Sequence, residues 1–330
     1  MASSNNKKRA QHSSNPLTPR VCEMLVALEK HRNMGETAKE LDVLQSVLSR
    51  QLAGIEKSLG VSLFARTTRS MEPTNEGRAV VRQAAQILAS LDKVVDELDA
   101  IGRGSTGLIR LGIASVAAAV LGPQAIAVFQ KANPGVSFSI RDDTNDRLID
   151  DLTTGFLDAA ILRLPADGHF HLDATELYDE PIRIVARRDH PLARSSDLSL
   201  ADLAKYQWIL PTSDFTARKQ IESKFYKEGL RFEAGILETL SVPFFIGLIS
   251  ATDAVAPMAD SLARRCEYSE GFVTLPIVFS LTLEPVSIVW RKESYLSPAL
   301  LNFMKSVEKT AKLISRSPEA FVHKSTGGLS

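Results

Sequence analysis

A run of heptads before the middle of the chain is the strongest constraint on its fold. Apolar residues recur there at alternating spacings of four and three residues, at Val80, Ala84, Ile87, Leu91, Val94, Leu98 and Ile101. The pattern predicts one helix over residues 77–104, and a helix of about 27 residues is roughly 40 Å long. This seam could pack on its own domain. A coiled coil with a second copy of the chain explains its length more simply, so we expect a homodimer.

Residues 17–76 have the pattern of a small three-helix unit. Residues 1–16 are rich in Ser, Asn, Gln and Lys and have little to bury, which favours a disordered arm. A second helix is predicted from Asn33, whose side chain can cap it together with Glu36 three residues later. A third helix ends at Gly60, and residues 61–74 form a short basic segment that is typical of a wing.

The third predicted helix has an unusual polar face. Its beginning reads DVLQSVLSRQL over residues 42–52, and the face carries amides, hydroxyls and one guanidinium without an acid. Such a face is either an ordinary solvated surface or one that contacts hydrogen-bond acceptors. The second and third predicted helices are joined by a tight turn and form a helix-turn-helix pair. The later helix of such a pair enters the DNA major groove, so we expect Gln45 and Ser46 to contact bases and Arg50 to contact phosphate. The full set of expected contacts with double-stranded DNA is Asn33, Thr37, Gln45, Ser46, Ser49, Arg50, Arg66, Thr68, Arg69 and Thr74.

Charge and composition agree with this assignment. The 330 residues have a net charge of zero, but residues 1–78 hold 12 Lys and Arg against 8 Asp and Glu, and the remaining residues hold 27 against 31. The basic start is not followed by the apolar core of a signal peptide, and the longest apolar stretch, at 113–129, is short for a membrane span. Cys22 and Cys266 are far apart and suit a reducing compartment. We expect a cytoplasmic protein without a membrane partner.

From residue 108 onward the pattern changes to alternating strands and helices. Apolar runs at 108–114, 136–143 and 157–163 are separated by helical segments, which predicts a βαβαβ unit with a parallel sheet. A second series of strands and helices begins at 181, and an amphipathic helix is predicted over 297–314. The residues from 315 to 330 are expected to form a loose tail. The predicted fold class is therefore α/β, behind an all-α unit with a wing.

The N-terminal sequence resembles the LysR-type transcriptional regulators. That family's signature reads ALSRQI, then LE, LGxxLFxR, R and LTxxG. Its pieces occur here, with the family's spacing, at Leu48–Leu52, Ile55–Glu56, Leu59–Gly60, Leu63–Phe64, Arg66, Arg69, Pro73–Thr74 and Gly77. There are three departures. Thr37–Ala38 stands where the family has two alanines in the second helix. Leu44 stands where the family has a capping Ser, which costs about 1 kcal/mol, and ATDAVAP at 251–257 replaces a Gly-x-Gly segment.

The resemblance covers about residues 18–314 and implies a regulator that responds to a ligand. It implies a winged helix-turn-helix, a linker helix and an effector domain of two Rossmann-like lobes, similar to type 2 periplasmic binding proteins. The effector domain would span 105–314, with lobe I at 108–175 and 280–314 and lobe II at 180–270. The implied partners are operator DNA, a small-molecule effector, the transcription machinery and further copies of the chain, up to a tetramer.

The expected effector site is the cleft between these lobes, since ligands in such folds lie at the carboxyl ends of the strands. The expected contacts are Ser115, Val116, Arg163, Thr212 and Ser213. A hydroxyl at a helix start beside an arginine suits a carboxylate or another anion, and a sugar is the other candidate. The hydroxyls could instead only cap local helices, and Arg163 could be a surface residue. Crossovers near 174–180 and 277–285 are expected to act as hinges.

Two other chemistries are compatible with parts of the sequence. DGHFHLD at 167–173 brings two His and two Asp together, as in some zinc sites, but such spacing is common by chance. Ser115 could be a nucleophile in an α/β enzyme with an N-terminal interaction module, which is the alternative function. It has neither a Gly-x-Ser-x-Gly turn nor a plausibly placed His partner. A regulator without metal, cofactor or catalytic residues is therefore expected.

Overall fold

The computed structural model describes residues 16–66, 70–102, 106–114, 120–166, 168–213, 215–269, 271–292 and 294–316. Contacts divide the chain into two units, the first holding residues 1–108 with 149–158 and the second holding 109–148 with 159–330. The segment 149–158 groups with the first unit, where the Gln86 side chain donates to the Thr153 carbonyl at 2.9 Å. The expected disordered arm and loose tail, at 1–16 and 315–330, lie almost entirely outside the described residues.

The first unit is a winged helix-turn-helix followed by a long helix, as predicted. Its elements are α1 (Pro19–His31), α2 (Met34–Glu40), α3 (Gln45–Leu59), β1 (Phe64–Arg66), β2 (Met71–Pro73) and α4 (Asn75–Gly102). Asn33 caps α2, because its Oδ1 accepts from the backbone N–H groups of Gly35 and Glu36 at 2.8 and 3.1 Å. Gly60 ends α3 with a φ of 72°, a conformation that glycine adopts readily.

The core of this unit holds the three-helix arrangement and the start of α4 together. Leu25 and Leu28 of α1 pack with Leu48 and Leu52 of α3 and with Val81 of α4. Strands β1 and β2 form an antiparallel pair, with Phe64 opposite Pro73. The first turn of α4 lies against the wing so closely that a Cβ on Gly77 would come within 1.9 Å of the Leu63 carbonyl oxygen. The glycine therefore allows α4 and the wing to pack this closely.

One lobe of the second unit contains a five-stranded mixed sheet in the order β4-β3-β5-β12-β6. The elements along this part of the chain are β3 (Gly107–Ile113), α5 (Leu121–Ala132), β4 (Val136–Asp142), α6 (Asn145–Thr154), β5 (Ala159–Arg163), β6 (Leu172–Tyr178), β12 (Val286–Arg291) and α11 (Pro298–Arg316). Residues 149–154 of α6 group with the first unit. Strands β3 and β5 are parallel, whereas β12 runs antiparallel to both of its neighbours. The buried core includes Phe129, Ile161, Ile288 and Phe303.

The other lobe has a three-stranded sheet, in the order β10-β7-β11, and a parallel β8-β9 pair. Its elements are β7 (Ile182–Arg187), α7 (Leu200–Ala204), β8 (Trp208–Leu210), α8 (Thr216–Lys227), β9 (Ile236–Glu238), α9 (Val242–Ala251), β10 (Ala256–Ala259), α10 (Asp260–Ser269) and β11 (Phe272–Thr274). Trp208 is fully buried, with its ring edge-on to Phe225 at a centroid distance of 5.2 Å. Two lobes of α/β structure were predicted, and this fold class is confirmed.

The crossovers between the lobes differ from the prediction. Residues 172–178 form strand β6, in which Ala174 pairs with Val289, so the first crossover is only the short segment 179–181. In the second crossover, Phe279 is still buried in the core of the second lobe, so the chain returns to the first lobe later than expected. Strand β6 is missing from the prediction because half of its residues are exposed or polar, which hides its pairing.

Candidate DNA-binding face and effector cleft

The polar face of α3 lies on the surface of the first unit. Gln45, Ser46 and Arg50 are exposed and Ser49 is half-buried. On the opposite side of the helix, Leu48, Leu52 and Ile55 are buried in the core. These apolar anchors fix the rotation of α3 about its axis, and thereby which side chains point outward. As expected, Leu44 at the N-cap forms no side-chain cap, so the first amides of α3 are not satisfied by that residue.

The one acid within α3 is turned away from this face by its own hydrogen bonds. Glu56 Oε1 accepts from the backbone N–H groups of Leu63 and Phe64 at 2.7 and 3.2 Å. It also accepts from the Ser62 hydroxyl at 3.3 Å. Glu56 thus attaches the end of the recognition helix to the start of the wing. Its negative charge is used inside the unit, and the outward face keeps its acid-free character.

Three of the residues predicted to contact DNA have structural roles instead or in addition. Thr37 is completely buried, and its hydroxyl donates to the carbonyls of Asn33 and Ala27 at 2.8 and 3.4 Å, so its prediction as a DNA contact is wrong. Thr74 donates to the Ser62 carbonyl at 2.8 Å and accepts from Gly77 N–H at 2.9 Å, so its hydroxyl is occupied as a helix cap. Asn33 is exposed, but its oxygen caps α2.

The wing is attached to the helical unit at its base. Met71 N–H donates to the Arg32 carbonyl at 2.8 Å, and the Arg32 guanidinium pairs with Glu72 at 3.1 Å. Arg78 donates to the Pro73 carbonyl at 2.8 Å. The predicted wing contacts Thr68 and Arg69 lie outside the described residues, as does the side chain of Arg66. The described part of the wing is therefore its two strands, which these bonds attach to the helical unit.

The heptad seam of α4 has two different halves. Val80, Ala84 and Ile87 belong to the core of the first unit, and Ala84 is fully buried there. For Ala84 the expectation of a dimer seam is wrong, because its side chain is buried in its own domain. Val80 and Ile87 are only partly buried and stay predicted seam residues. The second half forms an exposed apolar stripe, with exposed fractions of 46% for Leu91, 55% for Val94, 59% for Val95 and 64% for Leu98. The side chain of Ile101, the last seam residue, lies outside the described residues.

A cavity of about 240 Å³ lies in the second unit and takes its walls from both lobes. The first lobe contributes Ala114, Asp143, Thr144, Asn145, Arg163 and Pro165. The second lobe contributes Ile182, Pro211, Phe215, Thr216, Ala217, Thr239, Leu240, Ser241, Val242, Phe245, Pro257, Met258, Ala259 and Leu262, and the crossover adds Leu283 and Glu284. The cavity is therefore the interlobe cleft that the sequence predicted, although most of its lining residues were not predicted.

Arg163 lines this cleft, but its guanidinium is engaged with the protein itself. It is buried, its Nη2 donates to the Glu180 carbonyl at 2.6 Å, and its Nη1 donates to the Glu284 carbonyl. Burial holds the pKa of the guanidinium below its ordinary value. Glu180 and Glu284 stand in the two crossovers, so Arg163 connects both of them to the end of β5. Two of its donors are thus occupied within the protein, and its expected role as the partner of an anionic effector stays a prediction.

The other expected effector contacts have mixed outcomes. Thr212 and Ser213 do not line the cavity. A turn, closed by the bond from Phe215 N–H to the Thr212 carbonyl at 3.1 Å, carries both residues past the cleft and brings Phe215 to it. Ser115 and Val116 lie outside the described residues. In the sequence, the signal for Phe215 was its place shortly after strand β8. The signal for Phe245 was its place in α9, a helix of unusually apolar composition.

Among the described residues, no group of three or more His, Cys, Asp and Glu side chains is arranged to hold a metal ion. His169 and His171 have ring centroids 6.3 Å apart. Within the same part of the chain, no helix combines the length and the apolar character that crossing a bilayer requires.

The fold and these two sites define a DNA-binding protein with a small-molecule cleft. Residues 20–78 match the family model described as "bacterial regulatory helix-turn-helix protein, lysR family", and residues 102–312 match "LysR substrate binding domain". The chain belongs to the LysR family of transcriptional regulators. It has the N-terminal DNA-binding domain and the effector-binding domain of that family, and the resemblance seen in the sequence is confirmed.

Individual relatives agree with this membership. The chain is 30% identical over 282 residues to the HTH-type transcriptional regulator GbpR of Azospirillum brasilense, covering 84% of this chain and 81% of that protein. A full-length OxyR variant from Pseudomonas aeruginosa has a similar fold, with a TM-score of 0.57, 22% identity and coverage of 90% and 95% of the two chains. Full-length CbnR, in a complex with its target DNA, has a TM-score of 0.55 with 22% identity and coverage of 89% and 99%.

Proposed function

We propose that this regulator reads operator DNA with the outward face of α3 and is switched by a small molecule in the interlobe cleft. The observation that carries the proposal is the exposed, acid-free face formed by Gln45, Ser46 and Arg50. Phosphates attract such a face, whereas acids would be repelled, and base edges offer partners for its amide and hydroxyl groups. Gln45 and Ser46 stand at the N-terminal end of the helix, where base contacts are made most easily.

Other residues contribute to affinity more than to sequence preference. Arg50 lies further along α3 and is proposed to contact phosphate, together with Ser49, Asn33 and the wing residues Arg66, Thr68 and Arg69. Phosphate contacts position a protein on the duplex and make its binding depend on salt. The functional unit is proposed to be a dimer, joined through the exposed stripe of α4, or a tetramer. A dimer would place two recognition helices in successive major grooves.

The effector is proposed to act by favouring one arrangement of the lobes. A ligand that contacts both walls of a cleft binds a closed arrangement more tightly than an open one, and it shifts the population accordingly. The proposed site of action is the cytoplasm, where the operator DNA and the transcription machinery are found. No catalytic role is proposed, because the family consists of regulators and the cleft is assigned to ligand binding.

Footprinting with two variants tests the DNA-reading proposal. Gln45→Ala should change the sequence preference, whereas Arg50→Ala should weaken binding to all sequences and lower the slope of log K against log salt by about one. Glu233→Ala, an exposed change in the second unit, is the matched control and should bind like the parent protein. Footprints and affinities of Gln45→Ala and Arg50→Ala that equal those of the parent would falsify the assignment.

A further inference from the structure

The wall of the interlobe cleft is mainly hydrocarbon. Phe215 and Phe245 bring aromatic rings to it from the second lobe, Met258 adds a polarizable thioether, and Ile182, Leu240 and Leu262 add aliphatic side chains. Such a surface gains free energy when it is covered by an apolar molecule, and methionine sulfur makes favourable contacts with aromatic rings. A cavity of about 150 Å³ with a comparable lining accepts benzene. The volume of about 240 Å³ here is enough for a substituted ring.

The charges around the cleft disfavour an anion. Arg163 is the cationic residue of the described lining, and its guanidinium donates to the carbonyls of Glu180 and Glu284. Two carboxylates, Asp143 and Glu284, also line the cavity. Asp143 pairs with Arg141 at 3.2 Å, so the charges of these two side chains cancel and Arg141 adds no net positive charge. A carboxylate ligand would enter next to these acids and would have to share the positive charge of Arg163 with them.

The hydrogen-bonding groups of the cleft disfavour a sugar. Asn145 donates its side-chain N–H to the Arg163 carbonyl at 3.0 Å, and the side-chain oxygens of Thr239 and Ser241 accept from backbone N–H groups. Among the described residues, Thr144 and Thr216 are the lining residues whose hydroxyls form no hydrogen bond within the protein. A sugar buries many hydroxyls, and each one left without a partner costs free energy. A few polar groups of a ligand can be satisfied here, by these two hydroxyls and by the Asp143 and Glu284 carboxylates, but the hydrocarbon wall offers no partners to a full ring of hydroxyls.

We propose that the effector is a neutral, largely apolar molecule about the size of a substituted benzene ring, with one hydroxyl or carbonyl group. The ring lies between Phe215, Phe245 and Met258, and the polar group bonds to the Thr216 hydroxyl at the start of α8. This inference rests on the proposed function, since it names the chemical class that the switching site takes. It replaces the anion or sugar expected from the sequence.

Calorimetric titration of the full-length protein with matched probes tests the class. Benzyl alcohol represents the proposed effector, toluene lacks its polar group, benzoate is the anionic counterpart, and galactose represents a sugar. We expect benzyl alcohol to bind at least about tenfold more tightly than benzoate or galactose, with a negative heat-capacity change. Tighter binding of benzoate or galactose would overturn the class, and so would the absence of binding by both benzyl alcohol and toluene.

Two variants and a control locate the binding. Phe245→Ala should weaken benzyl alcohol about tenfold or more, whereas Val278→Ala, at a side chain 96% exposed in the same unit, should have no effect. Thr216→Val replaces the hydroxyl by a methyl group of similar shape at an exposed position. It should weaken the binding of benzyl alcohol roughly three- to tenfold without changing the binding of toluene. Equal affinities in Thr216→Val and the parent would remove the hydroxyl contact. Operator binding, measured on the same preparations, reports separately on the proposed function.

Discussion

Two glycines in the DNA-binding unit show how a single residue's surroundings decide the effect of one methyl group. Gly54 lies on the exposed side of α3, and a Cβ placed there meets nothing within 4 Å. Gly77, at the start of α4, would bring its Cβ to 1.9 Å from the Leu63 carbonyl oxygen. The same change to alanine should therefore have opposite effects at the two positions.

We predict that Gly54→Ala raises the free energy of unfolding of the DNA-binding unit by about 1 kcal/mol, the difference in helix propensity between the two residues. Gly77→Ala should lower it by about 2 kcal/mol, because the backbone of the wing must move away from α4. Denaturant unfolding, followed by circular dichroism, measures both. A loss of stability in Gly54→Ala or a neutral Gly77→Ala would contradict the packing described for α3 and α4.

At the scale of an element, the two halves of α4 have different surroundings. Its first half completes the core of the DNA-binding unit through Ala84 and its neighbours, and its second half presents Leu91, Val94, Val95 and Leu98 to solvent. An exposed apolar stripe of this length is typical of an association surface. Its position on the face used by heptads favours a second α4 as its partner.

We predict that Leu91→Asp converts the dimer into monomers and weakens operator binding, since a buried unpaired charge is costly at an interface. Ser90→Asp is the matched control, because it adds the same charge at the neighbouring exposed position, off the stripe. Light scattering gives the mass of both variants, and a Leu91→Asp protein that remains dimeric would exclude this stripe as the interface. Ala84→Asp is uninformative here, since it would disrupt the core of the unit itself.

At the scale of the whole molecule, the two lobes of the effector domain are linked by backbone segments that meet at one side chain. Arg163 donates to carbonyls in both crossovers. The carboxylate of Glu180, in the first crossover, accepts from Ser261 N–H at 2.7 Å at the start of α10. Burial raises the pKa of this carboxyl above its ordinary value. The crossover region is thus held by polar contacts, while the cleft beside it is mainly apolar.

We predict that Arg163→Met lowers the free energy of unfolding of the effector domain by about 3 kcal/mol, because two buried carbonyls lose a charged donor. Arg264→Met is the control, since Arg264 pairs with Asp260 in a partly exposed surface contact that is worth at most about 1 kcal/mol. Thermal unfolding of the full chain compares the two. If Arg163→Met unfolds at the parent's temperature, then the two crossover carbonyls do not depend on Arg163.

The sequence alone was sufficient for the features that depend on local periodicity and spacing. The helix-turn-helix, the capping role of Asn33, the stop at Gly60, the long α4 and the two α/β lobes all follow from patterns within a few residues of each other. The acid-free face of α3 could also be identified, because helical spacing determines which side chains share a face. These features need no knowledge of distant contacts.

The tertiary structure decided where each candidate side chain is used. Thr37 and Ala84 lie at positions that suit DNA or a partner helix, yet both are buried by residues from other helices. Arg163 ends a strand beside the cleft as expected, but carbonyls more than 100 residues apart in sequence engage its donors. The apolar lining by Phe215 and Phe245 arises from segments that only the lobe packing brings together. Local patterns define surfaces and elements, whereas burial and hydrogen-bond partners depend on contacts that are remote in sequence.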